Sequence, residues 1–168
     1  MSASFRIDAL AKHDRESFRC GDEALDNYFR AQVTQDIKRR VANCFVAVEL
    51  ATEAVAGFYT LSAASVPLTE LSPEVAKRLP RYPAIPAVRI GRLATDLRFR
   101  RRGLGGVLLA DAAHRTLQAA AAAFAIVVDA KNEEAVRFYE HHGFQRFASL
   151  PMSLFLSVET ARKALLGP

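Results

Sequence analysis

The sequence predicts a single α/β domain over residues 1–168, with helices packed on a mixed sheet. Three observations predict it. Residues 43–50 and 55–62 are two apolar, β-branched runs joined by Ala51-Thr52-Glu53-Ala54, the pattern of an antiparallel hairpin. Residues 85–93, a glycine-rich turn, an apolar-periodic segment and the uninterrupted apolar run 125–130 read as a β-α-β crossover. No repeat or linker divides the 168 residues, a length that one core can serve.

Composition narrows the function classes. With 51% hydrophobic and 24% charged residues, the chain has the balance of a soluble globular protein. No apolar run is long enough to span a bilayer, and the first residues lack a secretory core, so a cytoplasmic location without membrane attachment is expected. Cys20 and Cys44 fit no metal or redox spacing and read as reduced thiols. His13, His114, His141 and His142 are not spaced as a zinc set, so no metal is expected. The net charge of +5 favours an acidic partner such as a nucleotide, a nucleic acid or an acidic protein.

In chain order, residues 5–10 alternate as a first strand. Asp22 caps a helix whose apolar stripe is Ala24, Leu25, Tyr28 and Phe29. Its end, Lys38-Arg39-Arg40, is either a solvated terminus suited to the helix dipole or one wall of a positive groove. The hairpin follows, and Pro67 ends its second strand. Ser72 and Pro73 open a short helix to Lys77, and prolines stiffen the basic loop Arg78-Leu79-Pro80-Arg81-Tyr82-Pro83. After the strand at 85–93 and the turn, Leu104, Val107, Leu108 and Leu117 space a helix that thins into the alanine tract 119–123, where alanine favours helix. Residues 125–130 are a buried central strand. Asn132 caps a helix over 133–142 that Gly143 terminates. Residues 144–147 and 152–158 are strands, and 160–166 a last helix.

The turn Arg100-Arg101-Arg102-Gly103-Leu104-Gly105-Gly106 carries the strongest chemical signal. Its glycines leave the backbone approachable, and the N–H groups of a first helical turn converge on an anion. The dipole adds about half a positive charge there, and the arginines add formal charge, so a phosphate is the natural guest. A basic loop capped by glycines is the plain alternative, and the β-α-β context favours the anion site over it. Gly-x-Gly-x-x-Gly is absent and no Gly-Lys-Ser/Thr follows, which argues against a dinucleotide fold or a phosphate-loop NTPase.

With these residues in place, the sequence resembles the GNAT superfamily of acetyl-CoA-dependent N-acetyltransferases. The matching features are Arg100-x-x-Gly103-x-Gly105, the preceding strand at 90–95, and Ala130-Lys131-Asn132-Glu133-Glu134-Ala135-Val136-Arg137-Phe138-Tyr139-Glu140-His141-His142-Gly143-Phe144. A closer resemblance, over nearly the whole chain, is to the bacterial GNAT toxins of toxin–antitoxin pairs. It rests on Phe18-Arg19-Cys20-Gly21-Asp22-Glu23-Ala24-Leu25-Asp26-Asn27-Tyr28, Gly57-Phe58-Tyr59-Thr60-Leu61-Ser62-Ala63, the basic proline loop, Gly91-Arg92-Leu93-Ala94 and Phe138-Tyr139. The resemblance implies a mostly antiparallel sheet, opened by a V-shaped splay between its central parallel strands and carrying helices on both faces. It implies transfer of acetyl from acetyl-CoA to the α-amino group of aminoacyl-tRNA. It also implies a ribbon-helix-helix antitoxin as partner, and homodimers as in many relatives.

Carried over residue by residue, the resemblance assigns the cofactor pyrophosphate to Arg100, Arg101, Arg102, Gly103, Leu104, Gly105 and Gly106. Leu93, Ala94 and Thr95 would pair with the pantetheine arm, and Asn132 lies where relatives contact it, or serves only as a helix cap. Tyr139 matches the general acid that protonates the leaving thiolate, with Phe138 expected to be the core residue of the pair. The strand before the turn lacks the Glu that many relatives use as a base, though Asp96 or Asp129 can be asked to replace it. An α-amine, with pKa about 7.7–8.0, needs a base less than a lysine near 10.4. Arg92, with Lys38, Arg39, Arg40, Arg78 and Arg81, can line a groove for the tRNA acceptor end or be scattered solvated charge. Two further readings stand beside the toxin: acetylation of a small or protein amine, and a CoA-binding regulatory module.

Overall fold

The hairpin is present where the apolar runs placed it. In the computed structural model, which describes residues 4–166, β2 (Asn43–Glu49) pairs antiparallel with β3 (Val55–Pro67). β1 (Phe5–Ala9) pairs antiparallel with the other side of β2, from Phe5 opposite Glu49 to Ala9 opposite Phe45. The remaining elements are α1 (Glu23–Asn27), α2 (Val33–Lys38), α3 (Pro73–Ala76), β4 (Ala84–Thr95), α4 (Leu104–Gln118), β5 (Ala125–Asp129), α5 (Glu133–His141), β6 (Gln145–Arg146), β7 (Ser153–Ser157) and α6 (Val158–Leu166). Hydrogen bonding orders the strands β1-β2-β3-β4-β5-β7-β6 in one seven-stranded mixed sheet. β4 and β5 supply the parallel pair expected of the crossover.

Contacts divide the chain into two compact units, one reaching up to Ser62 and resuming over Gly91–Asp111, the other Ala63–Ile90 with the chain from Ala112 onward. β3 and β4 each pass unbroken from one unit into the other. In the first unit, Phe18, Phe29 and Phe58 form an aromatic cluster at the centre of the core, with Phe29 stacked on Phe58 at 4.3 Å and Phe18 edge-on to both. Val33, Val46, Val48 and Val55 pack around it. Asp22 caps α1 by accepting from the N–H groups of Ala24 and Leu25, as its position predicted. The helix does not continue uniformly: Tyr28–Gln32 is a π-helical turn between α1 and α2. Arg40, at φ +59°, then closes α2, with its N–H on the Ile37 carbonyl and the Val41 N–H on that of Asp36.

The second unit has its core at Val66, Leu71, Ala87, Ala125, Val127 and Phe155. The parallel pairing runs from Ala87 opposite Ala125 to Ile90 opposite Val128, and β4 continues five residues further, to Thr95. β7 pairs antiparallel with β5 and with β6. Asn132 caps α5 through a 2.8 Å bond from the Ala135 N–H, and Gly143, at φ +93°, follows its end.

Two expectations fail here. The alanine tract 119–123 is not helical, because α4 stops at Gln118. Alanine propensity without a buried stripe does not sustain a helix, and the chain must turn so that the Phe124 N–H meets the Pro86 carbonyl at the entry to β5. The burial of the Phe138-Tyr139 pair is also reversed: Tyr139 is buried and Phe138 only half-buried.

One buried charge ties the first unit together. Asp96, 1% exposed, accepts from the N–H groups of Arg19 at 3.0 Å and Arg98 at 2.8 Å and from the Arg98 guanidinium, while its own N–H donates to the Ala56 carbonyl. The guanidinium and the N–H donors hold its carboxyl below the usual carboxylate range, outweighing the opposing effect of burial. Such a depressed group stabilises the fold above its unfolded pKa, and that stability is lost as pH falls through the folded value. Asp96→Ala should cost about 2–3 kcal/mol in urea unfolding at pH 7. The difference from wild type should shrink as pH drops below about 4; equal stability at pH 7 would remove Asp96 from this role.

Candidate functional site

The glycine-rich turn lies wholly in the first unit. β4 delivers Leu93, Ala94 and Thr95, a single 3-10 turn spans Leu97–Phe99, and α4 begins at Leu104. Arg101 and Gly103 both adopt left-handed backbone, φ +62° and +71°. Two left-handed residues two positions apart fold the chain sharply into the helix. The Val107 N–H bonds to the Gly103 carbonyl at 3.2 Å, which makes Gly103 the N-cap. The N–H groups of Leu104, Gly105 and Gly106 then belong to the first turn, where a helix supplies no acceptor of its own. No side chain at 103, 105 or 106 stands over them.

Gly57 on β3 seats this helix start. A Cβ there would lie 3.0 Å from the Ala94 carbonyl oxygen, 3.2 Å from Leu108 Cδ1 and 3.3 Å from Leu104 Cδ2. The close approach of β3 to β4 and to the first turn of α4 therefore requires glycine. The turn arginines are not equivalent. All three are exposed, but Arg102 donates to Glu49 Oε2 at 3.1 Å and covers the rings of Phe5 and Phe99, and Arg100 reaches the Cys20 carbonyl at 3.5 Å. Backbone N–H groups, more than the Arg102 guanidinium, are what the turn offers an anion.

Arg92 stands on β4 one residue before Leu93. Its guanidinium carbon lies 3.6 Å from the centroid of the Tyr28 ring, and its N–H donates to Thr60 Oγ1 at 3.1 Å. Tyr28 is itself held, its hydroxyl donating to Asp36 Oδ2 at 2.7 Å. Asp36 lies on α2, whose end carries the exposed Lys38, Arg39 and Arg40. The first unit thus links Arg92 to the helix that carries the basic run.

The second unit holds the other candidates. Tyr139, on α5, packs against Phe138 and Phe144 with ring centroids at 5.1 and 5.3 Å. Among the described residues its hydroxyl has no hydrogen-bond partner, yet no buried side-chain polar atom there lacks one, so the oxygen is the accessible end of a buried ring. Burial pushes this phenol up to about 12, which keeps it protonated. Asn132 spends its side-chain oxygen on the helix cap. Arg78 and Arg81 are exposed, and Arg78 lines an open cavity of about 430 Å³ with Leu79, Phe124, Phe155 and Lys163. Asp129 is engaged by Arg89 and by the Ser153 hydroxyl, and Asp96 by the bonds given above, so both carboxylates are occupied by the fold.

Sequence reasoning missed Gly57 and the Tyr28–Asp36 support of Arg92. Both had a signal: an isolated glycine in a strand marks close backbone approach, and a tyrosine within an apolar stripe needs a partner for its hydroxyl. Among the described residues no cluster of three His, Cys, Asp or Glu side chains could hold a metal, and no helix is long and apolar enough to cross a membrane.

Comparison with known proteins bears on these features. Residues 78–151 match the family described as "Acetyltransferase (GNAT) domain". A tRNA-acetylating toxin of Mycobacterium tuberculosis is 35% identical over 92% of this chain and 91% of its own length. A probable toxin, TacT, of Sinorhizobium fredii is 29% identical over 92% and 90%. Among solved structures, AtaT complexed with acetyl-methionyl-tRNAfMet superposes with a TM-score of 0.88 at 26% identity, covering 96% of this chain and 99% of that one. A mutant AtaT toxin bound to the C-terminus of the antitoxin AtaR gives 0.79 at 26% identity, covering 98% of each chain. AtaTR bound with acetyl-CoA gives 0.79 at 25%, covering 96% and 98%.

The burial of Tyr139 has a direct spectroscopic consequence. The ultraviolet difference titration between wild type and Tyr139→Phe should show one phenol ionising near pH 12, about two units above an ordinary tyrosine. A midpoint near 10 would mean the ring is solvated.

Proposed function

This chain belongs to the GNAT family of acetyl-CoA-dependent N-acetyltransferases, and we propose that it is a toxin that acetylates the α-amino group of aminoacyl-tRNA and so blocks translation. The observation that carries the substrate assignment is on β4, where the strand before the turn presents Arg92 and no acid. Asp96 and Asp129 are held in structural hydrogen bonds, so the acceptor has to arrive largely unprotonated. The α-amine of an aminoacyl ester meets that condition at neutral pH far better than a lysine.

The residues fit acetyl-CoA, which supplies the activated thioester. The N–H groups of Leu104, Gly105 and Gly106 bind the pyrophosphate, aided by the exposed Arg100 and Arg101. Leu93, Ala94 and Thr95 offer backbone edge to the pantetheine arm, beyond the point where β4 stops pairing with β5. Tyr139 donates its phenolic proton to the departing sulfur, and its raised pKa ensures that the proton is present. Lys38, Arg39, Arg40, Arg78, Arg81 and Arg92 attract the acceptor strand by charge. Asn132 acts by ordering the start of α5. Residues 1–168 work as one acetyltransferase domain, in the cytoplasm where charged tRNA is found. A ribbon-helix-helix antitoxin neutralises it, a reading supported by the likeness to AtaT bound to AtaR.

Replacing Tyr139 by Phe tests the assignment. Acetyl transfer to charged tRNA should fall by about 10²- to 10⁴-fold while calorimetry finds acetyl-CoA still bound. Expression of wild type should arrest growth, and expression of Tyr139→Phe should not. A variant that transfers acetyl at the wild-type rate would exclude Tyr139 as the acid. Wild type that acetylates only small or protein amines would overturn the tRNA reading. Gly57→Ala should weaken acetyl-CoA binding and cost about 1–3 kcal/mol in stability, because its Cβ must displace the Ala94 carbonyl or the start of α4. Unchanged affinity would detach the helix start from cofactor binding.

A further inference from the structure

Arg92 is an exposed arginine on β4. Among the described residues no ion pair or side-chain hydrogen bond engages its guanidinium, although the neighbouring Arg98 and Arg102 are both paired with carboxylates. Both ends of it are nevertheless fixed. Thr60, 2% exposed, accepts its backbone N–H, and the guanidinium lies against the Tyr28 ring. Stacking of this kind uses the flat face of the cation and leaves its N–H donors, which point outward in the plane, free for a ligand. An ion pair would have consumed those donors. Tyr28 cannot drift, because its ring is 3% exposed within the first-unit core and its hydroxyl is tied to Asp36. Burial and the Asp36 carboxylate raise the Tyr28 pKa, so the phenol stays protonated and keeps donating.

We propose that Tyr28 is a positioning residue that holds the Arg92 guanidinium flat so that its N–H fork meets a phosphodiester of the acceptor nucleic acid. The proposal deepens the functional reading above and rests on it. A planar, bidentate donor suits two phosphate oxygens, which a mobile ammonium matches less well. The Tyr28–Asp36 bond also couples this fork to α2 and its terminal Lys38, Arg39 and Arg40, so that point contact and diffuse charge act from one scaffold.

The test compares Arg92→Ala, Arg92→Lys, Tyr28→Leu and Tyr28→Phe in steady-state transfer to charged tRNA at several salt concentrations. Tyr28→Leu should raise the KM for charged tRNA about tenfold, with kcat and the KM for acetyl-CoA little changed. Tyr28→Phe, which keeps the ring, should recover most of that loss. Arg92→Ala should weaken binding by a similar factor and lower the salt dependence by about one phosphate contact. Adding Tyr28→Leu to Arg92→Ala should cause little further loss. Arg92→Lys, at an exposed position that leaves the core intact, should resemble Arg92→Ala despite its charge. A fully active Arg92→Lys, or additive losses at 28 and 92, would overturn the positioning role. Wild type that leaves charged tRNA unacetylated would instead overturn the functional reading, so the two failures are distinguishable.

Discussion

The Asp96 carboxylate is the constraint on which the first unit depends. A charge this deeply buried is tolerable only when hydrogen bonds replace water, and here two backbone N–H groups and a guanidinium do so. Those donors come from the segment before α1 and from the approach to the glycine-rich turn, while the Asp96 N–H reaches β3 at Ala56. Asp96 therefore fixes the end of β4 to the segment before α1 through its side chain and to β3, beside Gly57, through its N–H. Gly57 then sets how closely the first turn of α4 can sit, and the Arg102 guanidinium is held by Glu49.

This arrangement has a chemical consequence. The acids near the end of β4 and the end of β5 are committed to structure, Asp96 by its donors and Asp129 by Arg89 and Ser153. What the chain offers chemistry is of the opposite character: helix N–H groups, outward-facing arginines and a phenol kept protonated by its apolar surroundings. Such a set binds anions and delivers one proton to the leaving sulfur; the acceptor arrives as the free amine, and the proton its nitrogen sheds on acylation restores the phenol or passes to solvent. Acetyl transfer to an amine of low pKa is the reaction that asks least of it.

The parts legible in the sequence were those fixed by local rules. Asp22 and Asn132 announced their helices by capping, the apolar runs at 43–62 announced the hairpin, and the turn announced itself by glycines ahead of an apolar period. The parts that were not legible depend on distant partners. Nothing adjacent to Arg92 indicates that Tyr28, 64 positions earlier, lies beneath it. The apolar stripe placed Tyr28 in the core, where it and Phe29 are buried, but not the bond from its hydroxyl to Asp36 beyond the π-helical turn. The order of Phe138 and Tyr139 in the core turned on which face of α5 meets Phe144, a tertiary fact that hydrophobicity alone misassigned. The alanine tract 119–123 failed for the converse reason, since its local preference for helix had no tertiary contact to support it.

The most direct measurement is a competition: wild-type protein, labelled acetyl-CoA, charged tRNA and a lysine-bearing peptide in one reaction at pH 7.0, a value near neutrality at which α-amines and lysines differ about a few hundredfold in free base. Label should appear on the α-nitrogen of the aminoacyl ester and almost none on lysine. Label on lysine, with the aminoacyl ester untouched, would contradict it.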